Sequence, residues 1–484
     1  MGQFFQMQDI GAIVPELELV VFGMFLLIFD LLVKEKRKLG LFALAGIAIS
    51  GLFLFRLRGI GIDRPLESYG GVLVLDPFAV LFKLIFLVAA ALSIAISLKY
   101  LDIERENHGE YYALILFATT GMMFMAGAVD LVTLYIGLET MAIATYVLVG
   151  FLRGNQRSNE ASMKYFLLGA FSSGILLYGM SLLYGISGST RFVEIAEALS
   201  RRPAGDPISM LAMITLSAGV FFKIAAVPFH QWTPDAYEGA PTSITAFMSV
   251  AVKAASFAMM ARIFMIAIYP LQPRWVSIMT AVCVLTMTIG NIAAITQSNV
   301  KRLLAYSSIS HAGYVLIGFI AGNETGMTAV PLYLLIYTFT NIGAWSVVVA
   351  LRRRDVIGEH IDEMAGLYYK EPVAASLMVV FLLSLAGIPP TAGFIGKYYL
   401  FAAAIETRHN VLAVIAVLNA AISIYFYFRI VVSMFMRDAT EKTGLTYSPG
   451  LTMALVVAIF FTMFIGVYPD PFIALAREAA VLGF

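Results

Sequence analysis

The sequence predicts an all-α polytopic membrane protein with about 14 transmembrane helices. Hydrophobic residues make up 60% of the chain and charged residues 13%, whereas a soluble domain carries about a quarter charged residues. The mean hydropathy is +0.86. Two of the apolar segments also contain prolines and a lysine, which predicts two broken helices at membrane depth, a pattern typical of transporters built from internal repeats.

A spanning helix needs about 20 mostly apolar residues, and fourteen segments of the sequence are apolar enough to provide one. They lie near 12–33, 39–55, 75–98, 111–128, 131–151, 162–186, 208–237, 242–268, 275–296, 302–321, 328–350, 374–403, 411–434 and 450–468. The start of the chain lacks a basic region and a small-residue cleavage site, so we interpret it as the first span rather than a cleaved signal peptide.

The orientation follows from the basic residues between the spans. Connections after odd-numbered spans hold 16 lysines and arginines, and those after even-numbered spans, with the tail, hold 9. The positive-inside rule therefore predicts that the odd connections lie in the cytoplasm and that both termini lie outside.

Two inverted repeats are expected, over spans 4–8 and 9–13, each with one broken helix. In the seventh span Lys223 precedes Pro228, and in the twelfth Lys397 follows Pro389 and Pro390. Because these spans run in opposite directions, the reversed order brings each lysine to a comparable side of its break. We expect helices 1–3 within 1–110, the first repeat within 111–268, the second within 269–434 and helix 14 within 435–484.

Four ionisable residues fall inside predicted spans: Glu139, Lys223, Lys253 and Lys397. A charge in hydrocarbon costs a disputed ~3 to ~10 kcal/mol or more, so it marks an ion path by default. The alternatives are a protonated, hydrogen-bonded carboxyl for the glutamate, a snorkelling side chain for the seventh-span lysine and structural ion pairs for the other two lysines. With one carboxylate expected against three ammonium groups, the interior suits protons better than hard metal cations.

Three further residues are candidate members of a proton path. His230 follows Pro228 closely and can titrate near neutrality. His311 is either a relay or a hydrogen-bonded core imidazole, and Lys301 has either a surface role or a role in proton uptake. The nearby Tyr306, Ser307, Ser308 and Ser310 could hold water along such a path, whereas Asp235 and Glu238 are expected to be solvated.

The sequence contains no recognisable cofactor motif. There is no nucleotide-binding glycine loop, metalloprotease motif or nucleophile elbow, and the single cysteine, Cys283, excludes internal disulfides and cysteine-based metal sites. A net charge of +1 argues against a nucleic-acid partner. We therefore expect no cofactor and no metal in this chain, with energy supplied by a gradient or by a partner.

Three stretches resemble a known family. KIAAVPFHQWTPDAYEGAPT (223–242), VKRLLAYSSISHAGY (300–314) and GIPPTAGFIGK (387–397) are similar to the antiporter-like subunits of the proton-pumping NADH:quinone oxidoreductase, respiratory complex I. The family also includes subunits of multisubunit sodium/proton antiporters. Lysine at 397 and a chain that ends soon after the fourteenth span resemble one of the shorter subunit types, rather than the type with glutamate there or the type with a long lateral helix.

The resemblance implies a proton relay in a bacterial inner membrane. Glu139 matches the fifth-span glutamate of the family and would modulate Lys223, while Lys253 would carry protons towards Lys397 as the terminal donor. NADH, flavin, iron–sulfur clusters and quinone would belong to partner subunits, and other membrane subunits of complex I, including neighbouring antiporter-like subunits, would be the partners. Two rivals stay open, namely a sodium/proton exchanger subunit and a structural anchor whose buried charges only hold helices together.

Overall fold

The computed structural model describes residues 7–61, 66–203, 205–352, 358–439 and 444–480. Among the basic residues counted for the orientation, Arg64, Arg353, Arg354 and Lys442 lie outside the described residues, as do both ends of the chain. The described part is almost entirely helical. Its strands form one short antiparallel hairpin, β1 (Leu66–Ser68) and β2 (Leu73–Leu75).

The helices follow one another in the order that the hydropathy pattern predicts. The first twelve are α1 (Met7–Ala12), α2 (Val14–Leu32), α3 (Arg37–Gly61), α4 (Pro77–Glu104), α5 (Gly109–Gly127), α6 (Leu131–Val149), α7 (Gln156–Ser187), α8 (Phe192–Ser200), α9 (Pro207–Lys223), α10 (Trp232–Gly239), α11 (Thr242–Phe247) and α12 (Lys253–Arg262). The others are α13 (Gln272–Ile295), α14 (Val300–Ala321), α15 (Glu324–Leu351), α16 (Leu367–Lys370), α17 (Pro372–Ala386), α18 (Ala392–Glu406), α19 (Asn410–Met436), α20 (Pro449–Val467) and α21 (Asp470–Ala480).

The expectation of an all-α, multi-pass membrane protein is confirmed. Within the described ranges, ten helices are long and apolar enough to cross a membrane, and two shorter apolar helices are α9 and α17. Each of the fourteen predicted segments overlaps at least one helix, and the seventh and twelfth are interrupted between α9 and α10 and between α17 and α18. The count of fourteen spans and the two inverted repeats stay predictions.

Polar residues at the helix starts explain several of the boundaries. Asp130 accepts hydrogen bonds from the second and third amides of α6, and Asn299 does the same for α14, which satisfies amide groups that lack partners inside the helix. Asp206 begins α9 in this way. Hydrogen bonds from the Ser209 hydroxyl and amide and from Arg202 lower the pKa of its carboxyl to about 2.

Four of the spans form a central core. These are α4, the Thr242–Ala267 segment, α14 and α15, whose apolar stretches are from 83% to 100% buried, whereas only a third of α20 is buried. The Thr242–Ala267 segment contains two π-helical turns, Met248–Val252 and Ile263–Ala267, on either side of α12. The core helices also carry several of the candidate polar residues, so those side chains lie away from lipid.

Two ion pairs that the sequence analysis missed lie inside this core. Lys83 pairs with Glu16 at 2.6 Å, and Arg262 makes two hydrogen bonds of 2.7 and 2.8 Å to Asp76, with all four side chains buried. The guanidinium also donates to the carbonyl of Ala126 at 3.0 Å. The expectation of mainly one buried carboxylate against three ammonium groups is therefore wrong. The interior holds two further carboxylates, and each is paired with its own buried cation.

We expect Asp76→Asn to destabilise the protein strongly. The amide retains an oxygen that can cap α4, but it leaves the buried Arg262 guanidinium without a counter-charge, at a cost of about 3–5 kcal/mol. The measurement is the thermal unfolding midpoint of the purified protein in detergent. The control is Asp102→Asn, which breaks a partly exposed pair with Arg37 worth about 0–1 kcal/mol. Equal shifts for the two variants would contradict a structural role for the buried pair.

Candidate functional site

Lys223 occupies the end of a helix inside the protein. The chain leaves the helical path after this residue and regains it at Trp232. The indole of Trp232 donates to the carbonyl of Phe222 at 3.0 Å, which satisfies one of the groups freed at the helix end. The Lys223 side chain is buried, and its Nζ donates to the hydroxyl of Tyr146 at 3.4 Å.

Glu139 lies on α6, two turns before Tyr146, at the boundary between the buried and exposed faces of that helix. Its Oε1 is buried and makes no hydrogen bond within the described residues. In the same part of the chain, no ion pair within 4.0 Å joins it to Lys223. The carboxylate acts electrostatically on both Tyr146 and Lys223, so the structure places these three groups in one neighbourhood without a direct Glu–Lys contact.

A series of aromatic contacts begins at Tyr146, the hydrogen-bond partner of Lys223. Tyr146 packs edge-on against Tyr165 at 4.6 Å between ring centroids, and Tyr165 stacks on Trp232 at 4.5 Å. Tyr237 follows at 6.2 Å from Trp232 and lies beside Ser308 of α14. These rings connect the region of the seventh span with the central helices.

Lys253 is the first residue of α12, directly after a π-helical turn. Its Nζ donates to the carbonyl of Ser308 at 2.6 Å and contacts the Ser308 hydroxyl at 2.5 Å. No carboxylate lies within 4.0 Å of this ammonium among the described residues. The interpretation of Lys253 as part of a structural ion pair therefore has no support in the geometry.

His311 lies one turn further along α14, with both ring nitrogens bonded. Nδ1 contacts the hydroxyl of Tyr333 at 2.5 Å, and Nε2 contacts the hydroxyl of Tyr427 at 3.0 Å. Tyr427 is in turn 2.5 Å from the hydroxyl of Ser307. The imidazole is thus a fully bonded core group, and it is within electrostatic reach of Lys253 on one side and of the twelfth-span lysine on the other.

Lys397 makes its hydrogen bond at the second helix break. Its buried Nζ donates at 2.8 Å to the carbonyl of Ala386, the last residue of α17, and lies 4.8 Å above the ring of Tyr314. Gly387, which follows, adopts a positive φ of 86°. The break thus supplies a carbonyl oxygen that the helix itself leaves free.

The prolines of both breaks lie in the irregular connections. Pro228 stands between α9 and α10 after a cis peptide bond, and the Pro389–Pro390 bond between α17 and α18 is also cis. All three rings are exposed on the outer surface of the chain.

His230 and Lys301 make no hydrogen bond to the lysines and tyrosines of this series within the described ranges. His230 is half-buried, and its Nδ1 has no hydrogen-bond partner within the described ranges. Lys301 is only 1% exposed, with hydrogen bonds to the carbonyl of Ala240 at 2.8 Å and to Glu359 at 3.3 Å. Lys301 is therefore buried rather than at the surface, because the connection between α15 and α16, which contains Glu359, folds over it.

The remaining polar candidates divide into bonded and unbonded groups. Ser307 and Ser308 are bonded as described. The buried hydroxyls of Ser310 and Tyr314 lie close to each other, but neither makes a hydrogen bond within 3.5 Å among the described residues. Asp235 and Glu238 are not simply solvated, because both are paired with Arg302, at 2.8 and 2.7 Å. In the part of the chain described, no group of three or more His, Cys, Asp or Glu side chains could hold a metal ion.

The sequence is similar to known membrane subunits along almost its whole length. Residues 128–423 match the family model described as NADH:quinone oxidoreductase/Mrp antiporter, TM. The protein of Solibacter usitatus (strain Ellin6076) named NADH-quinone oxidoreductase subunit N 2 is 51% identical, over 98% of each chain. The NADH-quinone oxidoreductase subunit N of Trichlorobacter lovleyi is 46% identical, over 99% of each chain.

Solved structures share the fold. A chain of respiratory complex I from Thermus thermophilus with bound Aureothin matches with a TM-score of 0.81 at 32% identity, over 96% of this chain and 99% of that one. A chain of the Mrp complex from Dietzia sp. DQ12-45-1b matches with a TM-score of 0.85 at 21% identity, over 99% and 98%. The second likeness shows the fold alone.

We expect Gly387→Ala to destabilise the second break. A Cβ atom there would lie 2.7 Å from Cδ of Lys397, and the positive φ is strained for alanine. Overpacking of this kind costs about 1–3 kcal/mol. The measurement is again the unfolding midpoint in detergent, with Gly51→Ala on α3 as the control, since nothing lies within 4 Å of a Cβ at that position. A midpoint for Gly387→Ala equal to that of the control would contradict the tight contact.

Proposed function

The chain belongs to the NADH:quinone oxidoreductase/Mrp antiporter family of membrane proteins, and we propose that it acts as the proton-translocating subunit N of complex I. The likeness to proteins with that name extends over the whole chain, at 51% and 46% identity. The chain is therefore a membrane subunit of an enzyme, and other membrane subunits of complex I are its partners. The electron transfer from NADH to quinone, and the redox cofactors that perform it, belong to other subunits of the complex.

The observation that carries the proposal is the series of protonatable groups arranged along α14. Ser308 contacts Lys253, His311 follows one turn later, and Tyr314 lies under the ammonium of Lys397. Residues three and four positions apart share one face of a helix, so these side chains form a continuous row. A row of hydroxyl, imidazole and amine groups offers a proton successive positions across the core.

In the proposed mechanism, Glu139 controls the first lysine of the relay. Two unit charges about 4 Å apart interact by about 4 kcal/mol at an effective dielectric near 20, which exceeds the ~2.3 kcal/mol that one charge gains per 100 mV. A movement of the carboxylate towards Lys223 would hold the ammonium form, and a movement away would favour release of the proton. The proton then passes by way of Lys253 to Lys397, the terminal donor towards the outside.

The geometry supports different roles for the two histidines. His311 is bonded to two tyrosine hydroxyls between Lys253 and Lys397, so we assign it to the relay itself. His230 has an unbonded ring nitrogen beside the first break, and we assign it a subsidiary relay role near Lys223.

The same proposal includes the finer architecture. We propose fourteen spans with both termini on the outer side of a bacterial inner membrane, and two inverted repeats, α5–α12 and α13–α19. The repeats are supported by the fact that each contains one broken helix with a buried lysine. Lys223 ends α9, the helix before the first break, and Lys397 lies on α18, the helix after the second break. The reversed order of lysine and break fits antiparallel insertion.

A sodium/proton antiporter subunit is the second candidate, since the family includes Mrp antiporters and a chain of the Mrp complex shares the fold. Purification of the native assembly separates the two. Flavin and iron–sulfur subunits that co-purify with the chain support the complex I assignment, whereas their absence, together with sodium-dependent proton exchange, would contradict it.

We expect Glu139→Gln and Lys223→Ala to depress NADH:quinone turnover and proton uptake while the complex still assembles. Each change removes one charge of the proposed switch, whose interaction at close range amounts to about 4 kcal/mol. The measurement is NADH-driven proton uptake by the assembled complex in proteoliposomes, with assembly checked on native gels. The control is Glu197→Gln, which alters an exposed pair on α8. Full pumping by both assembled variants would refute the relay.

A further inference from the structure

Two polar cavities meet at the end of the molecule where α10 ends and α14 begins. Their volumes are about 270 and 350 Å³, and both are lined by Arg157, Glu238 and Gly239. Charged side chains contribute much of both walls. We name this paired cavity the polar vestibule; its deepest charged group is Lys301, which lines the larger cavity.

Glu359 connects the surface of the polar vestibule with its deepest lysine. One carboxylate oxygen lies 3.3 Å from Nζ of the buried Lys301, and the other lies 3.9 Å from Nη1 of Arg157, whose side chain is 67% exposed. The Glu359 side chain itself is 15% exposed. A single carboxylate therefore touches an exposed cation on one side and a buried ammonium on the other.

Backbone hydrogen bonds fix this carboxylate over the start of α14. The carbonyl of Glu359 accepts the amide of Val300 at 2.7 Å, and the amide of Ile361 donates to the carbonyl of Ser298 at 3.0 Å. Glu363 accepts the amide of Glu359 at 2.8 Å. These hydrogen bonds hold the segment against α14, the helix that carries the proposed relay. The position of Glu359 is therefore determined by the fold.

Three other carboxylates of the polar vestibule are held more firmly, and a fourth, Glu160, forms an exposed pair with Lys164 at 2.8 Å. Asp235 and Glu238 bond to Arg302 at 2.8 and 2.7 Å, and Glu104 makes a close pair with Arg352. Charge-assisted bonds of this length favour the ionised form. The contacts of Glu359 are longer and divided between two cations, so of these carboxylates it is the one best placed to exchange a proton.

We propose that Glu359 is the group that accepts protons from the aqueous phase and passes them to Lys301. The Lys301 ammonium first gives a proton onward to the relay and becomes an amine. A hydronium ion from the aqueous phase then protonates the Glu359 carboxylate, and the resulting carboxyl transfers this proton to the amine, which restores both the ammonium and the carboxylate. Lys301 lies two turns, about 10 Å, before Ser308 on the same face of α14. This assignment rests on the proposed function and supplies its uptake side.

The test uses the whole complex in proteoliposomes. We expect Glu359→Gln to lower NADH-driven proton uptake and coupled turnover by about tenfold or more, since positioned proton-transfer groups contribute about 10²–10⁴-fold. Glu359→Asp should retain a substantial part of the activity. The matched control is Glu110→Gln, which changes a carboxylate in a half-exposed pair with Arg153 and should leave the rate unchanged.

A chemical rescue separates proton acceptance from a merely structural role. Glu359→Ala should be slow but should recover when formate is added, because a small carboxylate can occupy the vacated position and carry the proton. Wild-type pumping by assembled Glu359→Gln would overturn the inference, as would a slow Glu359→Ala variant that formate does not restore. If Lys223→Ala abolishes pumping in the same assay while Glu359→Gln does not, the uptake assignment alone fails and the proposed function stands.

Discussion

The arrangement of the interior depends on how the protein stabilises a buried ammonium group. Lys253 and Lys397 are each held by a backbone carbonyl, and Lys223 by a tyrosine hydroxyl. Neutral oxygens of this kind reduce the cost of burial without the large charge attraction of a carboxylate, which would fix the proton in place. The bidentate pair of Arg262 with Asp76 shows the opposite solution, where a permanent charge serves structure alone. The interior thus contains two kinds of charged group: ion pairs that stabilise the fold, and lysines bound to neutral oxygens, which could exchange a proton.

The helix breaks provide part of this solvation. A continuous helix consumes its own carbonyls, whereas an interrupted one leaves those of its last turn free. The carbonyl of Ala386 bonds the ammonium of Lys397 because α17 ends there, and α9 ends at Lys223 itself. A broken helix at membrane depth is tolerable only where protein or water covers it, and here the buried lysine is one of the groups that covers it.

The sequence predicts the helical class and the positions of the apolar segments well, because a helix that crosses the bilayer needs about 20 mostly apolar residues. It also identifies the buried charges of the relay, since a lysine such as Lys253 stands out in an apolar run. It could not predict the oxygen bound to each lysine, because Ser308 is 55 residues distant from Lys253. Arg262 also lies in an apolar segment and could have been identified in the same way. Glu359 could not, because it lies in a connection between helices, and no local sequence pattern shows that this connection folds over α14.

The two ends of the proposed relay differ in polarity, and this difference bears on the direction of transport. Lys301 borders a cavity of about 350 Å³ lined by charged groups, which can hold ordered water. Lys397 borders a cavity of about 590 Å³ with a mainly apolar lining between α18 and α19, where the acidic group is Glu406. Apolar walls offer water few hydrogen-bond partners, so among the described residues the surroundings of Lys397 on this side are less polar than those of Lys301. A pump cannot be open at both ends at once, and a polar uptake end combined with an apolar release end fits that requirement of the proposed relay.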